Sequence, residues 1–406
     1  MNQLKTQMCD RADGQVFCYN VPLMRLTYLD NNATTQPAPE VVAIVSEYLA
    51  EHWANPSSAH RFGQRARQGV DVARQQVAQL VDVDPNDLWF AGGGTEAVNT
   101  NIRNLLATRS SRKKIVISTI EHNATGELAK QLEKEGYTVV RVGVDREGNL
   151  DFGQLLTEVD DDTALVSMMW ANNETGVIFP VEQITAICHG AGVPFHTDAT
   201  QMVGKMPVSF RKANIDAASF APHKFHGPKG IGVGYARKGI RVRPLLIGGP
   251  QERGRRGGTE NVPGIVGSGV AAELALKSVA DTSRVRGLRD RLENTILQTI
   301  SGAHVNGSRV NRVSNTSNIG FAQLQSEAIL LLLSEQGICA SAGAACSSGS
   351  LEPSHVMRAM RVPDVIAHGA IRFSLGRYNT EEDVDYVLSV LPRVIERLRK
   401  VLPVAV

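Results

Sequence analysis

Between residues 87 and 236 the chain repeats one pattern: a short apolar run, a few polar or glycine residues, then a stretch of helical spacing. The apolar runs fall at 87–91, 114–118, 137–144, 163–170, 193–198, 215–220 and 231–236. Short strands separated by helices predict βαβ units and a mostly parallel sheet, an α/β fold. In such a sheet the ligand crevice lies at the carboxyl ends of the strands. His122, Asn173, Asp198, Gln201 and Lys224 all fall at or just past a predicted strand end. Each of them alone reads as a loop residue or a cap. Together they predict one site.

Lys224 follows the 215–220 run inside Ala221-Pro-His-Lys-Phe-His-Gly227. A lysine set in a tight turn past a buried strand, shielded from water and near other cations, becomes a nucleophile toward carbonyls. Gly92-Gly-Gly-Thr-Glu96 joins the 87–91 strand to a helix reaching about residue 107. Free backbone N–H groups and the helix dipole there suit a phosphate. The run is neither a GxGxxG fingerprint nor a Walker loop. Upstream, residues 38–51 read as a helix opened by Pro39, and 64–81 as another, with Val70, Ala73, Val77 and Leu80 at helical spacing.

Residues 248–261 form a basic, glycine-rich connector, and 262–300 are mostly helical, with the charged stretch 283–293 expected to be a solvated face. A domain boundary is placed near residue 281. Beyond it come a strand (316–321), a helix (326–336), a strand (337–340), a loop, a helix (353–360), a strand (370–375) and a helix (380–400). The expected organisation is a large domain over 35–281 and a small α+β domain made of 1–34 and 282–406. Residues 341–350, Ser-Ala-Gly-Ala-Ala-Cys346-Ser-Ser-Gly-Ser, carry only small side chains and are expected to form a mobile loop. Cys346 on that loop reads as exposed and reactive, whereas Cys188 and Cys339 read as core. Cys9 and Cys18 are assigned no role.

The 406 residues have a formal net charge of +2, which leaves no footprint for nucleic acid or an acidic membrane surface. No apolar run approaches the roughly 18 residues that span a bilayer, and residues 1–25 lack the apolar core of a secretory signal. Five cysteines without CxxC spacing argue against a disulfide framework or a metal site, and for a reducing, cytoplasmic setting.

Against this background the chain resembles the cysteine desulfurases of the NifS/IscS type, class V, fold-type-I enzymes that use pyridoxal 5′-phosphate (PLP). The resemblance covers about 27–402. It rests on Tyr28-Leu-Asp-Asn-Asn-Ala-Thr-Thr35, Gly93-Gly-Thr-Glu96, Glu121-His122, Asn172-Asn-Glu-Thr-Gly176, His196-Thr-Asp198-Ala-Thr-Gln201 and His223-Lys224 with Gly227-Pro-Lys-Gly230. It continues through Gln251-Glu-Arg-Gly-Arg-Arg-Gly-Gly-Thr-Glu-Asn261, Cys346-Ser-Ser-Gly-Ser-Leu-Glu-Pro-Ser-His355 and Ile371-Arg-Phe-Ser-Leu-Gly376. Met169-Trp-Ala-Asn-Asn and Gln251-Glu-Arg-Gly-Arg-Arg place it nearer the nitrogenase-associated NifS branch.

The resemblance implies a PLP-dependent conversion of L-cysteine to L-alanine. Sulfur passes to Cys346 as a persulfide and on to an acceptor, such as a scaffold protein for iron–sulfur clusters. Lys224 would carry the cofactor covalently and shuttle protons, Asp198 would pair with the pyridine nitrogen, and His122 would stack on the ring and act in acid–base steps. Gln201 and Asn173 would bond the phenolic oxygen and the substrate region. Gly94, Thr95 and His223 would hold the phosphate, with Thr259 reaching it from the second subunit of a homodimer. Arg372 would clamp the substrate carboxylate; without that role, an arginine in an apolar strand needs a buried acidic partner. Three positions depart from the family pattern. Ala221 replaces a phosphate-binding serine, which predicts weaker PLP retention, Pro222 removes a backbone N–H, and Pro250 stands where histidine is common.

Two rival readings differ in what they ask of the chain. A class V aminotransferase has no need of Cys346, while selenocysteine lyase activity leaves these motifs intact. A non-catalytic scaffold on the same fold would need neither Lys224 nor Asp198.

Overall fold

The computed structural model describes residues 25–342 and 352–401, together with the backbone of two N-terminal strands. Those strands, Gln7–Ala12 and Gln15–Asn20, pair antiparallel with Cys9 opposite Cys18. The rest of the described chain is built on two hydrophobic cores.

The larger core surrounds a seven-stranded sheet. Its strands run in the spatial order Leu88–Ala91, Gly232–Ala236, Ala217–Phe220, Phe195–Asp198, Thr163–Ser167, Lys114–Ser118 and Thr138–Val142. All are parallel except Gly232–Ala236, which is antiparallel to both neighbours. The central strands are buried along their whole length, as a sheet covered by helices on both faces requires. Each predicted strand of this sheet is present, several of them shorter than the apolar run that announced it. Most are trimmed at the amino end, whereas the 163–170 run stops at Ser167 and its last three residues lead into the site, where Met169 lines the cavity that Lys224 faces.

The helices Pro39–Ala50, Arg61–Val81 and Val262–Val279 pack together beside this sheet. The last is 18 residues long and apolar enough to cross a membrane by length and composition, which corrects the expectation that no run approaches that size. The helix is instead packed within the protein, 61% of its residues being buried. Val266 and Ala272 belong to the core, and Gly267 and Gly269 sit against Val45 and Ala73 where a Cβ would collide.

A second core joins Leu29 to the chain after residue 283. The antiparallel strands Ala303–Val305, Thr316–Phe321 and Ala370–Ser374 form its sheet, and Ile338–Cys339 pairs in parallel with Thr27–Tyr28. The helices Ser283–Thr299, Ser326–Glu335 and Glu381–Val401 cover it. One expectation holds only in part here: Ser283–Thr299 turns Arg284, Arg286 and Arg291 to water but buries two of its charges. Arg289 is 3% exposed and Glu293 fully buried. Glu293 accepts two bonds from Arg312 (2.6 and 2.8 Å), one from Ser317 Oγ (2.6 Å) and one from Arg309 (2.9 Å). Burial pushes its carboxyl up, and Arg312, Ser317 and Arg309 together hold it below the ordinary value. Spacing along one helix could not reveal partners lying 16 to 24 residues away.

Candidate active site

Past the Ala217–Phe220 strand the chain makes a single 3₁₀ turn, Pro222–Lys224. Pro222 opens it, a position where proline's fixed φ fits and its missing N–H is not needed. The Pro222 carbonyl accepts from the N–H groups of Phe225 and Gly227, both at 3.0 Å. The departure at Pro222 therefore costs the turn no hydrogen bond. Lys224 Nζ donates to the carbonyls of Asn32 (2.7 Å) and Ala33 (2.8 Å). Just beyond it, His226 is buried with φ +70°, held there by its N–H bond to Thr35 Oγ1 (2.6 Å) and its ring bond to the Gln36 carbonyl (2.8 Å). A non-glycine residue forced into this region marks stored strain, which collects at functional sites.

Lys224 faces a cavity of about 240 Å³ lined also by Gly94, Thr95, His122, Asn173, Asp198, Thr200, Gln201 and His223. Asp198 ends the Phe195–Asp198 strand and its Oδ1 accepts the Thr200 N–H (3.0 Å). Gly94 starts the Gly94–Ala107 helix, and a Cβ there would meet Ala221 and Thr200 Oγ1 at 3.4 and 3.9 Å. The preceding loop crosses the sheet so closely that a side chain on Gly232 would overlap the Gly93 carbonyl. Glu96 accepts from the Gly92 N–H (2.8 Å) and pairs with Arg256 (3.0 Å), bracing the glycines from outside.

His122 caps the Asn123–Lys134 helix, its Nδ1 accepting the Ala124 N–H (3.1 Å). Burial holds its imidazole below the ordinary value against the pull of Asp198, and Lys224 and His355 push the same way. His223 is bonded to Thr34 Oγ1 (3.1 Å), and burial together with Lys224, Lys229 and Lys205 lowers it to about 4. Both rings are neutral at neutral pH. Behind them Glu121 is buried; its Oε1 accepts from Ser118 Oγ (2.6 Å) and the Met169 N–H (2.9 Å). Its Oε2 has no partner among the described residues, and burial raises the carboxyl to about 8.

Arg372 lies one layer away, on the Ala370–Ser374 strand and 2% exposed. Its Nη2 pairs with Asp30 (2.7 Å) and its Nη1 donates to the Asn173 carbonyl (2.9 Å). An acidic partner for this arginine is thus present, although Asp30 is only half-buried.

The class-V aminotransferase family profile matches residues 27–387. "Cysteine desulfurase 2" of Trichormus variabilis is 50% identical over 380 residues, 94% of this chain and 96% of its own length. "Cysteine desulfurase NifS" of Azotobacter vinelandii is 47% identical over 378 residues, 93% of this chain and 94% of its own. A solved structure described as a NifS-like protein superposes with TM-score 0.86 at 39% identity, covering 92% of this chain and all of its own. The chain belongs to the class-V aminotransferases, among the cysteine desulfurases.

Enzymes of this family generally use PLP, and the cavity fits that group. The Gly94 cradle and the donors of Thr95, Thr200 and His223 suit a phosphate. The buried carboxylate of Asp198 suits a pyridinium nitrogen, and an amine, Lys224, opens onto the same space. Eight of the proposed residues line the cavity: Gly94, Thr95, His122, Asn173, Asp198, Gln201, His223 and Lys224. Arg372 touches it through Asn173. Thr259 is exposed and does not line it. Cys346 lies outside the described residues, as does most of the expected loop. Its first residue, Ser341, is not loose: its backbone pairs with that of Arg372.

Sequence reasoning passed over Thr200, Asp30, Asn32 and Lys205. Three of them sit inside quoted motifs and Lys205 four residues past Gln201, but their importance lies in whom they touch. Asn32, 1% exposed, receives Lys224 and Gln201 on its carbonyl (2.7 and 3.1 Å). It receives Lys205 and Asn315 on Oδ1 (2.6 and 3.1 Å), and its Nδ2 donates to the Asn173 carbonyl and Thr316 Oγ1 (3.1 and 2.8 Å). The short strand Thr27–Tyr28 leads into Leu29 of the second core, and Asn32 ties that core to Lys224.

Proposed function

We propose that this protein is a PLP-dependent cysteine desulfurase that releases L-alanine from L-cysteine, carries the sulfur on Cys346 and delivers it to an acceptor protein for iron–sulfur cluster assembly. The observation that carries this is the single cavity in which Lys224, Asp198, His122 and the Gly94 cradle meet. Its setting is a chain half identical, over nearly its full length, to cysteine desulfurases. PLP supplies an electron sink for a bond-breaking step at the substrate's α-carbon. The chain does the rest. Asp198 would hold the positive end of the cofactor ring, and the Lys224 amine would move the proton at the substrate's α-carbon. The neutral imidazole of His122 takes a proton from the arriving substrate. Arg372 receives the substrate carboxylate by exchanging it for Asp30. The Cys346 thiolate attacks the substrate sulfur; the S–S bond forms as the Cβ–S bond breaks, leaving a persulfide on Cys346 and alanine as the other product.

The NifS relatives support a role in supplying nitrogenase assembly. A homodimer is part of the proposal, because Thr259, expected to reach the phosphate, is exposed and does not line its own chain's cavity. Trp53 and Phe62, exposed and packed on one another at 6.2 Å, offer apolar surface to such a copy. The proposed setting is the cytoplasm, which keeps thiols such as Cys188 and Cys339 reduced.

The test is alanine and sulfide from L-cysteine with excess thiol reductant. Equal amounts over many turnovers are expected, and Cys346→Ala should keep bound PLP while losing sulfide release. Bound PLP with neither product would overturn the desulfurase reading. Full activity in Cys346→Ala would move the sulfur-carrying role to another cysteine.

A further inference from the structure

Gln201 and Lys205 are four residues apart on a helix-like turn in which the Val203 N–H reaches the Ala199 carbonyl (2.9 Å) and the Met206 N–H the Met202 carbonyl (3.1 Å). Gly204 makes the turn possible: with φ +74°, it lies against Phe225, next to Lys224, where a Cβ would strike the ring. The turn brings Lys205 Nζ to two oxygens, Gln201 Oε1 and Asn32 Oδ1, the latter at 2.6 Å. Lys205 does not line the reaction cavity. It lines a second cavity, of about 200 Å³, that meets the first only at Lys224. Its amine therefore reaches the reacting atoms only through the two side chains it holds.

A carboxamide presents an acceptor at one end and a donor at the other, and rotation by half a turn exchanges them. We infer that Lys205 is a positioning residue: by occupying the oxygens of Gln201 and Asn32, it makes Gln201 offer its amide nitrogen to the ligand and fixes the Asn32 carbonyl that receives Lys224. One Gln201 N–H already goes to that same carbonyl (3.1 Å), so the amide nitrogen and Lys224 share one acceptor. The other N–H remains for the cavity. This inference rests on the cofactor reading above, in which Gln201 faces the phenolic oxygen of PLP.

The charged groups around Lys205 are Lys224, Arg372 and Asp30, with the imidazoles of His223 and His226 nearby. Burial above all, then Lys224 and Arg372, push its amine well below the ordinary lysine range, while Asp30 opposes them. The lock survives either state, because neutral and protonated amines both have at least two N–H groups for two oxygens.

A donor on the phenolic oxygen favours its anion and weakens the hold of the lysine-linked nitrogen on its proton. Losing that donor should raise the protonation midpoint of the lysine-bound chromophore, read by absorbance against pH on the PLP-loaded protein. In Lys205→Met, and in Lys205→Gln as a second variant, the expected rise is on the order of one pH unit. Lys205→Arg should return the midpoint toward that of the parent. Gln201→Leu should give a similar rise, and combining it with Lys205→Met should add little, as for two residues acting through one contact. An unmoved midpoint in Lys205→Met and Lys205→Gln, with Gln201→Leu shifted, overturns this inference alone. A parent protein that forms no lysine-bound chromophore removes the cofactor reading and this inference with it.

Discussion

Two buried polar clusters occupy this protein, and they are built to opposite rules. Around Glu293 every charge meets its complement: two bonds from Arg312, one from Arg309 and one from Ser317. Around Lys224 the basic side chains Lys205, Lys224 and Arg372 share carbonyls, amides and one carboxylate. A buried carboxyl oxygen of Glu121 nearby has no partner among the described residues, and eight candidate side chains line an open space. The first arrangement maintains the fold, because a buried charge is tolerated only when paired. The second leaves hydrogen-bonding capacity for a ligand, at some expense to stability.

Three substitutions would break or sharpen that contrast. The largest effect is expected from Lys224→Ala, which should lower turnover by about a thousandfold or more and abolish the lysine-bound chromophore. Its urea midpoint should stay close to that of the apo parent; a large loss of stability would make Lys224 a structural member like Arg312. Glu293→Ala should do the reverse. It strands the Arg312 guanidinium, 3% exposed, and should cost about 3–5 kcal/mol in denaturant unfolding. Turnover per folded molecule should be unchanged, and an altered KM for cysteine would end the separation of the two clusters.

Glu121→Gln is the smallest and most diagnostic. The carboxyl titrates near 8 in the folded protein against about 4.5 when unfolded, so the folded state binds the extra proton. Its contribution is fully present below about pH 4.5 and is lost as pH rises through about 8. Relative to the parent, Glu121→Gln should therefore gain stability with pH across that window, on the order of 3 kcal/mol at neutral pH. Parallel stability–pH curves for the two proteins would show that Glu121 is already ionised.

Much of this was readable before any coordinates. The strand at 114–118 and the helix close to 326–336 were legible because each is an apolar run bounded by polar residues, and the run's length separates a buried strand from a helix. Candidate site residues were legible where they shared a place, the end of a strand. What escaped was contact between distant segments. Ser283–Thr299 looked like a solvated helix because its charges are many, and only Arg309, Arg312 and Ser317, brought in from elsewhere, make Glu293 a core residue. Val262–Val279 was legible as a helix but not as one of membrane-spanning length and composition, because Glu273 and Lys277 interrupt its apolar residues.

Local order and chemistry were decided by the sequence alone: which segments are strands, where glycines open a helix N-terminus, and which lysine follows a buried strand. These depend on neighbours within a few residues, whose periodicity and side-chain chemistry are visible in one dimension. Tertiary structure alone decided which polar groups face one another. Asn32 meets Lys205 across 173 residues, and Asp30 meets Arg372 across 342. Such pairings depend on how the second core docks against the sheet. No spacing encodes them, because each residue type has many polar partners of equal chemistry and only packing selects one.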